Sequence, residues 1–379
     1  MRSDDFAPSC PGQLVDIEDG ALAFVPNPLP PELTYLPDIA AYLAEAGHAL
    51  GMLAAVGDTL PDPDVLAGLL THGEAVSSSR IEGVAATAAD IYALEAGKPG
   101  LVQSRDAAEV ARCCAAMKHG IETMGMSITL DTVCGIHGRL MSGSAPDPGR
   151  LRTGQNWAGP AGCTLQEATY VAPPPDNLAP LLDNLLWFMN NAAEVPALVR
   201  IALAHYQFEA IRPFPGGNGR VGRILIALLL AKAGLMRRPL LCLSDYLSRA
   251  RPGYFERLLA VSRTGNWRDW IVFFLRAIRE QAHAAATRGR AIVNLRSHYV
   301  TLIGKERTRA RLAPLVDLLF ENPCVDVARV CERLGVTHPT AAHLIGQLAG
   351  LGVLVEQTGH RRRRVYCATE LLRLVSAEN

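Results

Sequence analysis

Gly217, Asn218 and Gly219 directly precede an apolar helix-forming run, Ile224–Leu230, and Arg220 and Arg223 stand three apart at its start. Glycines ahead of a helix let backbone N–H groups converge on an anion, and the helix N-terminus adds partial positive charge. Two guanidinium forks on the first turn can grip phosphate oxygens bidentately. The chemistry this pattern offers is phosphate binding. By spacing alone a second reading fits as well: a glycine turn capping a core helix, with its arginines in solvent.

The elements that must position this loop are mostly helical. Leu36–Val56, Pro63–Val76, Ala107–Thr123, Leu130–Met141 and Leu178–Asn191 place Ala, Leu and Ile at helical spacings. Helices resume after Arg223 through Ala233, then over Gly253–Ser262 and Trp267–Val293. Arg152–Pro175 breaks the pattern: Gly and Pro surround the short run Thr169-Tyr170-Val171, which predicts a β-hairpin. Residues up to about Pro31 show no helical period and read as an arm draped on a core.

The last stretch reads as a separate small unit. Leu312–Phe320, Val325–Leu334 and Pro339–Leu351 predict three helices, with Gly335-Val336-Thr337-His338 as a tight turn. Two β-prone runs follow, Gly352–Glu356 and Val365–Cys367, separated by Gly359 and Arg361, Arg362, Arg363 and Arg364. That order is the winged helix-turn-helix pattern. The expected divisions are residues 1–105, a helical core at 106–283, a helical linker at 284–310 and the winged-helix domain at 311–379.

Composition narrows the function classes. With 37 basic and 37 acidic residues among 379, no global field recruits nucleic acid or an anionic membrane. The cysteines show no CxxC pair and no repeating spacing, so reduced thiols in a cytoplasmic protein are expected, and neither a zinc site nor a disulfide framework. The N-terminus lacks the basic-then-apolar pattern of a signal peptide. Ile224–Leu230, read as the most apolar stretch, is far short of the roughly 20 residues a membrane span needs, so no membrane partner is expected.

The segment from His205 to Arg223 resembles the signature of the Fic family, His-x-Phe-x-(Asp/Glu)-Gly-Asn-Gly-Arg-x-x-Arg. The resemblance extends to Gly154-Gln155-Asn156-Trp157 with Tyr170–Pro174, the family's flap hairpin, and to Trp267–Trp270 with Phe273-Phe274-Leu275. It covers roughly residues 30–375. It implies transfer of AMP from ATP to a Ser, Thr or Tyr hydroxyl of a protein target that the flap aligns. It also implies that Phe214, Gly216, Gly217, Asn218, Gly219, Arg220, Gly222 and Arg223 surround the nucleotide, with Arg223 on the γ-phosphate and Arg220 bracing the loop. Tyr254-Phe255 matches an aromatic pair near the adenine, and could equally be core packing.

Ser78-Ser79-Arg80-Ile81-Glu82-Gly83 resembles the family's inhibitory-helix motif, in which Glu82 would occupy the Arg223 fork. Read without the resemblance, it is an exposed Glu before a helix-ending Gly. Two positions depart from the family: Arg212 stands where the catalytic His belongs, and Gly216 where the acid belongs. A guanidinium has no acceptor and stays protonated, and glycine offers no side-chain oxygen to Mg²⁺. The expected cofactor is therefore ATP or another nucleotide, with Mg²⁺ in doubt and no protein metal site.

Three functions follow from this: an AMP-transferring or related enzyme with atypical residues, a nucleotide-sensing pseudoenzyme or DNA-binding regulator, and an AMP-removing hydrolase in which Glu82 activates water. A homodimer is left open. His205 and Glu209, four apart on a helix, lack a third metal ligand and read as structural, as does His137. Arg361–Arg364 read either as a phosphate-tracking wing or as a solvated tip.

Overall fold

The computed structural model describes residues 1–17, 20–33, 37–58, 63–95, 105–160, 162–304, 308–357 and 364–376. The fold is mostly helical. In chain order the helices are α1 (Pro37–Asp58), α2 (Pro63–Ile81), α3 (Ala88–Glu95), α4 (Arg105–Thr123), α5 (Leu130–Leu140), α6 (Leu178–Asn191), α7 (Ala197–Ile211) and α8 (Asn218–Lys232). They continue as α9 (Leu243–Arg249), α10 (Arg251–Thr264), α11 (Trp267–Ile303), α12 (Arg309–Glu321), α13 (Val327–Leu334), α14 (His338–Gly350) and α15 (Thr369–Ser376). The strands are β1 (Gly12–Asp16), β2 (Leu22–Pro26), β3 (Trp157–Ala158), β4 (Tyr170–Val171), β5 (Cys324–Val325), β6 (Val355–Glu356) and β7 (Tyr366–Cys367).

The chain forms two compact units. The first comprises Met1–Gly51, Ala115–Arg237 and Tyr246–Glu280. Its centre is α7, where every residue from Ile201 to Ile211 is buried. A helix buried all round must sit inside other elements, and α6, α8 and α10 pack against it, with α5 behind α8. Trp270, fully buried, donates its indole N–H to the Ala202 carbonyl at 2.9 Å and ties α11 to the same helix. Burying one such side chain removes 150–250 Å² from water in round numbers, so α7 is fixed firmly beneath the loop that follows it.

The N-terminal arm is more ordered than its composition predicts. β1 and β2 form an antiparallel hairpin, Leu14 opposite Phe24, and β2 packs on β4 of the expected flap hairpin. Phe24 is fully buried beside Phe6 and Tyr170. The missed signal is Asp19-Gly20, a hairpin turn pair between two apolar runs.

The second unit comprises Met52–Cys114, Arg238–Asp245 and Gln281–Asn379. Here α2 is the central helix, buried at every position from Gly73 to Ser79. Its Glu74 carboxylate accepts from the Ser244 N–H at 2.9 Å and from the Ser244 hydroxyl. β5, β7 and β6 form one antiparallel sheet in that order. Cys324 and Cys367 face each other across it as a disulfide, which corrects the expectation of reduced thiols throughout. The pairing depends on a strand register 43 residues apart in sequence, which cysteine spacing does not reveal.

The expected helix Val325–Leu334 begins two residues later: Asp326 caps it by accepting from the Arg329 N–H at 2.8 Å, which leaves Val325 to the sheet. α3, α9 and α15 lie outside the segments whose spacing predicts a helix. Ile224–Leu230 lies in α8 and is short, whereas Ile39–Gly57 in α1, less apolar per residue, is long and apolar enough to cross a bilayer by length and composition. A core helix passes the same test.

Candidate functional site

The site begins where α7 stops. Arg212 caps that helix in the left-handed region, φ 46° and ψ 65°, and among the described residues no other non-glycine has positive φ. Such a conformation costs on the order of 1–3 kcal/mol and persists only where its surroundings impose it. Four hydrogen bonds do so here. The Arg212 N–H reaches the Phe208 carbonyl at 3.0 Å, and the Pro213 carbonyl accepts from the Arg152 N–H at 3.0 Å. Arg152 Nε donates to the Arg212 carbonyl at 2.8 Å, and Arg212 Nε donates to Asn156 Oδ1 at 2.8 Å.

Arg152 and Asn156, at the root of the flap, are the residues the sequence reading undervalued. Arg152 also donates to the carbonyls of Gly154 and Pro173, which flank the two flap strands, and so joins both ends of the flap to the loop. Asn156 Nδ2 lies 3.1 Å from the carbonyls of both Phe214 and Pro215. Burial, and then the neighbouring Arg212 charge, lower Arg152 to about 10, so it remains a cation at neutral pH. Asn156 was legible only as part of the flap resemblance, and Arg152 carried no signal of its own.

The remainder of the loop is braced from below. Gly217 caps α8 with φ 72°, a left-handed conformation that favours glycine, and a Cβ there would stand 2.9 Å from the Met141 sulfur, which would have to move aside. Asn218 binds Phe214 twice, accepting its N–H at 2.9 Å and donating to its carbonyl at 2.8 Å. The Phe214 ring stacks on His137 at 3.9 Å. Because Gly149 N–H donates to His137 Nδ1, the ring proton sits on Nε2, which donates to the Gly216 carbonyl at 3.2 Å. Burial, with Arg220 nearby, lowers His137 to about 4, so it is neutral; the packing role expected of it proves to be a loop brace.

What remains open to solvent is Pro215, exposed, and Arg212, Gly216, Gly217 and Gly219, half-buried. Arg220 and Arg223 lie beneath, almost fully buried. The first turn of α8 begins at this opening and carries the partial positive charge of a helix N-terminus; Arg220 and Arg223 lie on its first two turns, and Arg152 and Arg212 are neighbours on the flap side of the loop. The arrangement can hold a polyanion. It does not fit a protein-bound Mg²⁺, because Gly216 supplies no carboxylate and its carbonyl is engaged by His137.

Gly222 makes the crossing of α7 and α8 close: a Cβ there would meet Glu209 Oε1 at 3.0 Å and Phe208 Cδ1 at 3.1 Å. Gly222→Val is expected to destabilise the protein by about 1–3 kcal/mol through overpacking, read as a lower denaturant midpoint. His205 Nε2 and the Tyr254 hydroxyl are 2.8 Å apart in the same core. Tyr254, expected beside an adenine, is fully buried, whereas Phe255 is 38% exposed with the Arg251 guanidinium over its ring.

The inhibitory motif belongs to the second unit. Glu82 was expected within the helix, but α2 ends at Ile81 and Glu82 and Gly83 form the turn after it, their N–H groups on the Ser79 and Arg80 carbonyls. Gly83 takes φ 85°, which terminates the helix. Ser78 is buried and Glu82 exposed. Of the wing arginines, Arg361, Arg362 and Arg363 lie outside the described residues; Arg364 is exposed, 3.7 Å from Glu356.

The sequence pattern of the Fic/DOC family matches residues 127–230, and that of the Fic/DOC family N-terminal region matches residues 40–122. A protein of Aquifex aeolicus named as a probable protein adenylyltransferase is 30% identical over 101 residues, 27% of this chain and 32% of that protein. The protein adenylyltransferase Fic of Nematostella vectensis is 28% identical over 186 residues, 48% of this chain and 38% of that one. The chain thus spans about a third of the length of these curated relatives. A crystal structure of a Fic family protein from Desulfovibrio desulfuricans superposes with TM-score 0.60 at 22% identity, over 90% of this chain and 98% of that one, a likeness of fold.

Proposed function

Because this chain is a Fic-domain protein, we propose that it binds an adenine nucleotide at Gly217–Gly219 without needing a divalent metal, and that AMP transfer from that site is weak or absent. The observation that carries this reading is Arg212, fixed by Asn156 at the position of the expected base. AMP transfer requires a target hydroxyl to lose its proton as it attacks the α-phosphorus and pyrophosphate departs. A guanidinium cannot take that proton, and losing a general base removes about 10²–10⁴ in rate. The same guanidinium supplies fixed positive charge beside the phosphates, which favours holding an anion over reacting with it.

In this reading Arg223 takes the γ-phosphate, Arg220 braces the loop, and Glu82 competes for the Arg223 fork. The flap over Thr164–Val171 lines up a segment of a target protein by strand addition. Calorimetric titration with ATP tests the competition. Wild type binds, and Glu82→Gly binds about fivefold or more tightly, the ordinary size of a coupling between two sites. Unchanged affinity in a folded Glu82→Gly protein removes the inhibitory role.

A second reading, a DNA-binding regulator, is favoured by one feature: α13, a turn capped by Gly335 at φ 64°, and α14 follow one another as in a winged helix-turn-helix. If Arg361–Arg364 track a phosphate backbone, DNA retardation falls steeply with salt and drops when the four become alanine. Equal retardation by the alanine variant excludes the wing.

A further inference from the structure

Helix α2, which leads into the Glu82–Gly83 turn, packs against C-terminal elements of the second unit. Within the second unit α12 and α15 pack on α2, while α15 and β5 pack on α3, the next helix after the motif. The seams are close. A Cβ on Gly73 of α2 would lie 3.2 Å from the Val375 carbonyl of α15, and one on Gly289 of α11 would lie 3.2 Å from the Leu66 side chain. Asn322, buried at the end of α12, donates to the Tyr92 carbonyl of α3 at 3.2 Å while its Oδ1 accepts from the Cys324 N–H of β5 at 2.8 Å. Arg329 of α13 donates to the Glu95 carbonyl of α3 at 3.2 Å, and the Glu95 carboxylate meets His72 of α2 at 2.9 Å.

Packed interfaces of this kind have discrete arrangements and do not deform smoothly, so a helix held on several sides moves with its partners. We infer that α2 and α3 act as one piece with α12, α13, α15 and β5, so that the C-terminal domain sets where Glu82 stands and thereby regulates access of nucleotide to Arg223. The inference rests on the reading in which Glu82 competes for that fork. An event in the C-terminal domain that loosens its hold on α2 then acts as a release of the nucleotide site, although no residue of that domain belongs to the loop.

The test uses the full chain and ATP as probe. Gly73→Val wedges α2 from the Val375 backbone, and Asn322→Ala cuts the link between α12, β5 and α3; the second variant serves if the first fails to fold. Hydrogen exchange is expected to show α2 and α15 losing protection together, and ATP affinity is expected to rise by about fivefold or more. In a Glu82→Gly background the same seam substitution adds nothing. Three results overturn the inference while leaving the inhibitory reading intact: α2 keeps its protection when α15 loses it, α2 loosens with unchanged ATP affinity, or affinity rises equally in both backgrounds. If Glu82→Gly alone has no effect, the inhibitory reading fails first and the inference falls with it.

Discussion

The triple variant Arg212→His, Gly216→Asp, Glu82→Gly is expected to label itself or a lysate protein with AMP from labelled ATP, where wild type does not. Once the phosphates are oriented, a restored general base is worth about 10²–10⁴ in rate. Both loop positions have the geometry to accept the change. A Cβ on Gly216 meets only the end of Met141, at 3.9 Å, and the backbone there is not left-handed, so an aspartate fits. At position 212 the left-handed φ of 46° is one that histidine visits more readily than most residues. Asn156 Oδ1, now 2.8 Å from Arg212 Nε, is placed to accept one ring N–H and leave the other nitrogen as base. Each single substitution should do little, because a base without an oriented phosphate leaves most of the barrier standing. Efficient labelling by wild type, or a triple variant that binds Mg²⁺-ATP and stays inert, means that the Arg212 loop serves a different reaction.

Acid is expected to weaken the core through His205. Burial, and then the Arg223 charge, hold this imidazole at about 3, against 6.5 for a free histidine. The unfolded chain therefore takes up a proton near pH 6.5 that the folded chain refuses until about pH 3. Stability from this site is present above pH 6.5 and is lost as pH falls below it, at about 1.4 kcal/mol per pH unit. Against a total of roughly 5–15 kcal/mol, two pH units are a substantial loss. Denaturant unfolding of wild type and His205→Gln from pH 7 to 5 isolates the effect, since Gln keeps a polar group toward Tyr254 and does not titrate. Wild type should lose stability more steeply by about that amount, and parallel slopes would mean that His205 is charged in the folded protein. His137, held at about 4, acts with the same sign.

The sequence made the helices and the loop legible for the same reason. α6 and α8 are long apolar periodic runs, and Gly217-Asn218-Gly219 owes its shape to residue types that admit few conformations. What escaped depends on tertiary partners. Arg152 is one arginine among many until the fold places the carbonyls of Arg212, Gly154 and Pro173 around it. The burial of Tyr254, with its hydroxyl 2.8 Å from His205 Nε2, likewise depends on partners that spacing does not show. Glu82 shifted from helix to turn because Gly83 ends α2 early. The hairpin in the arm before Pro31 escaped because a short hairpin with a mixed pattern carries no helical period, and what orders it is tertiary: packing of β2 on the flap and α7, and bonds to the Arg263 and Thr264 carbonyls.

The central claim is a phosphate cradle whose fixed cations stand in for a metal. Calorimetric titration of the wild-type chain with ATP, once in excess Mg²⁺ and once in EDTA, tests it most directly. The account predicts binding with closely similar affinity in both, lost when Arg223 becomes alanine. No ATP, ADP or AMP binding at millimolar concentration, or binding that appears only with Mg²⁺, would contradict it.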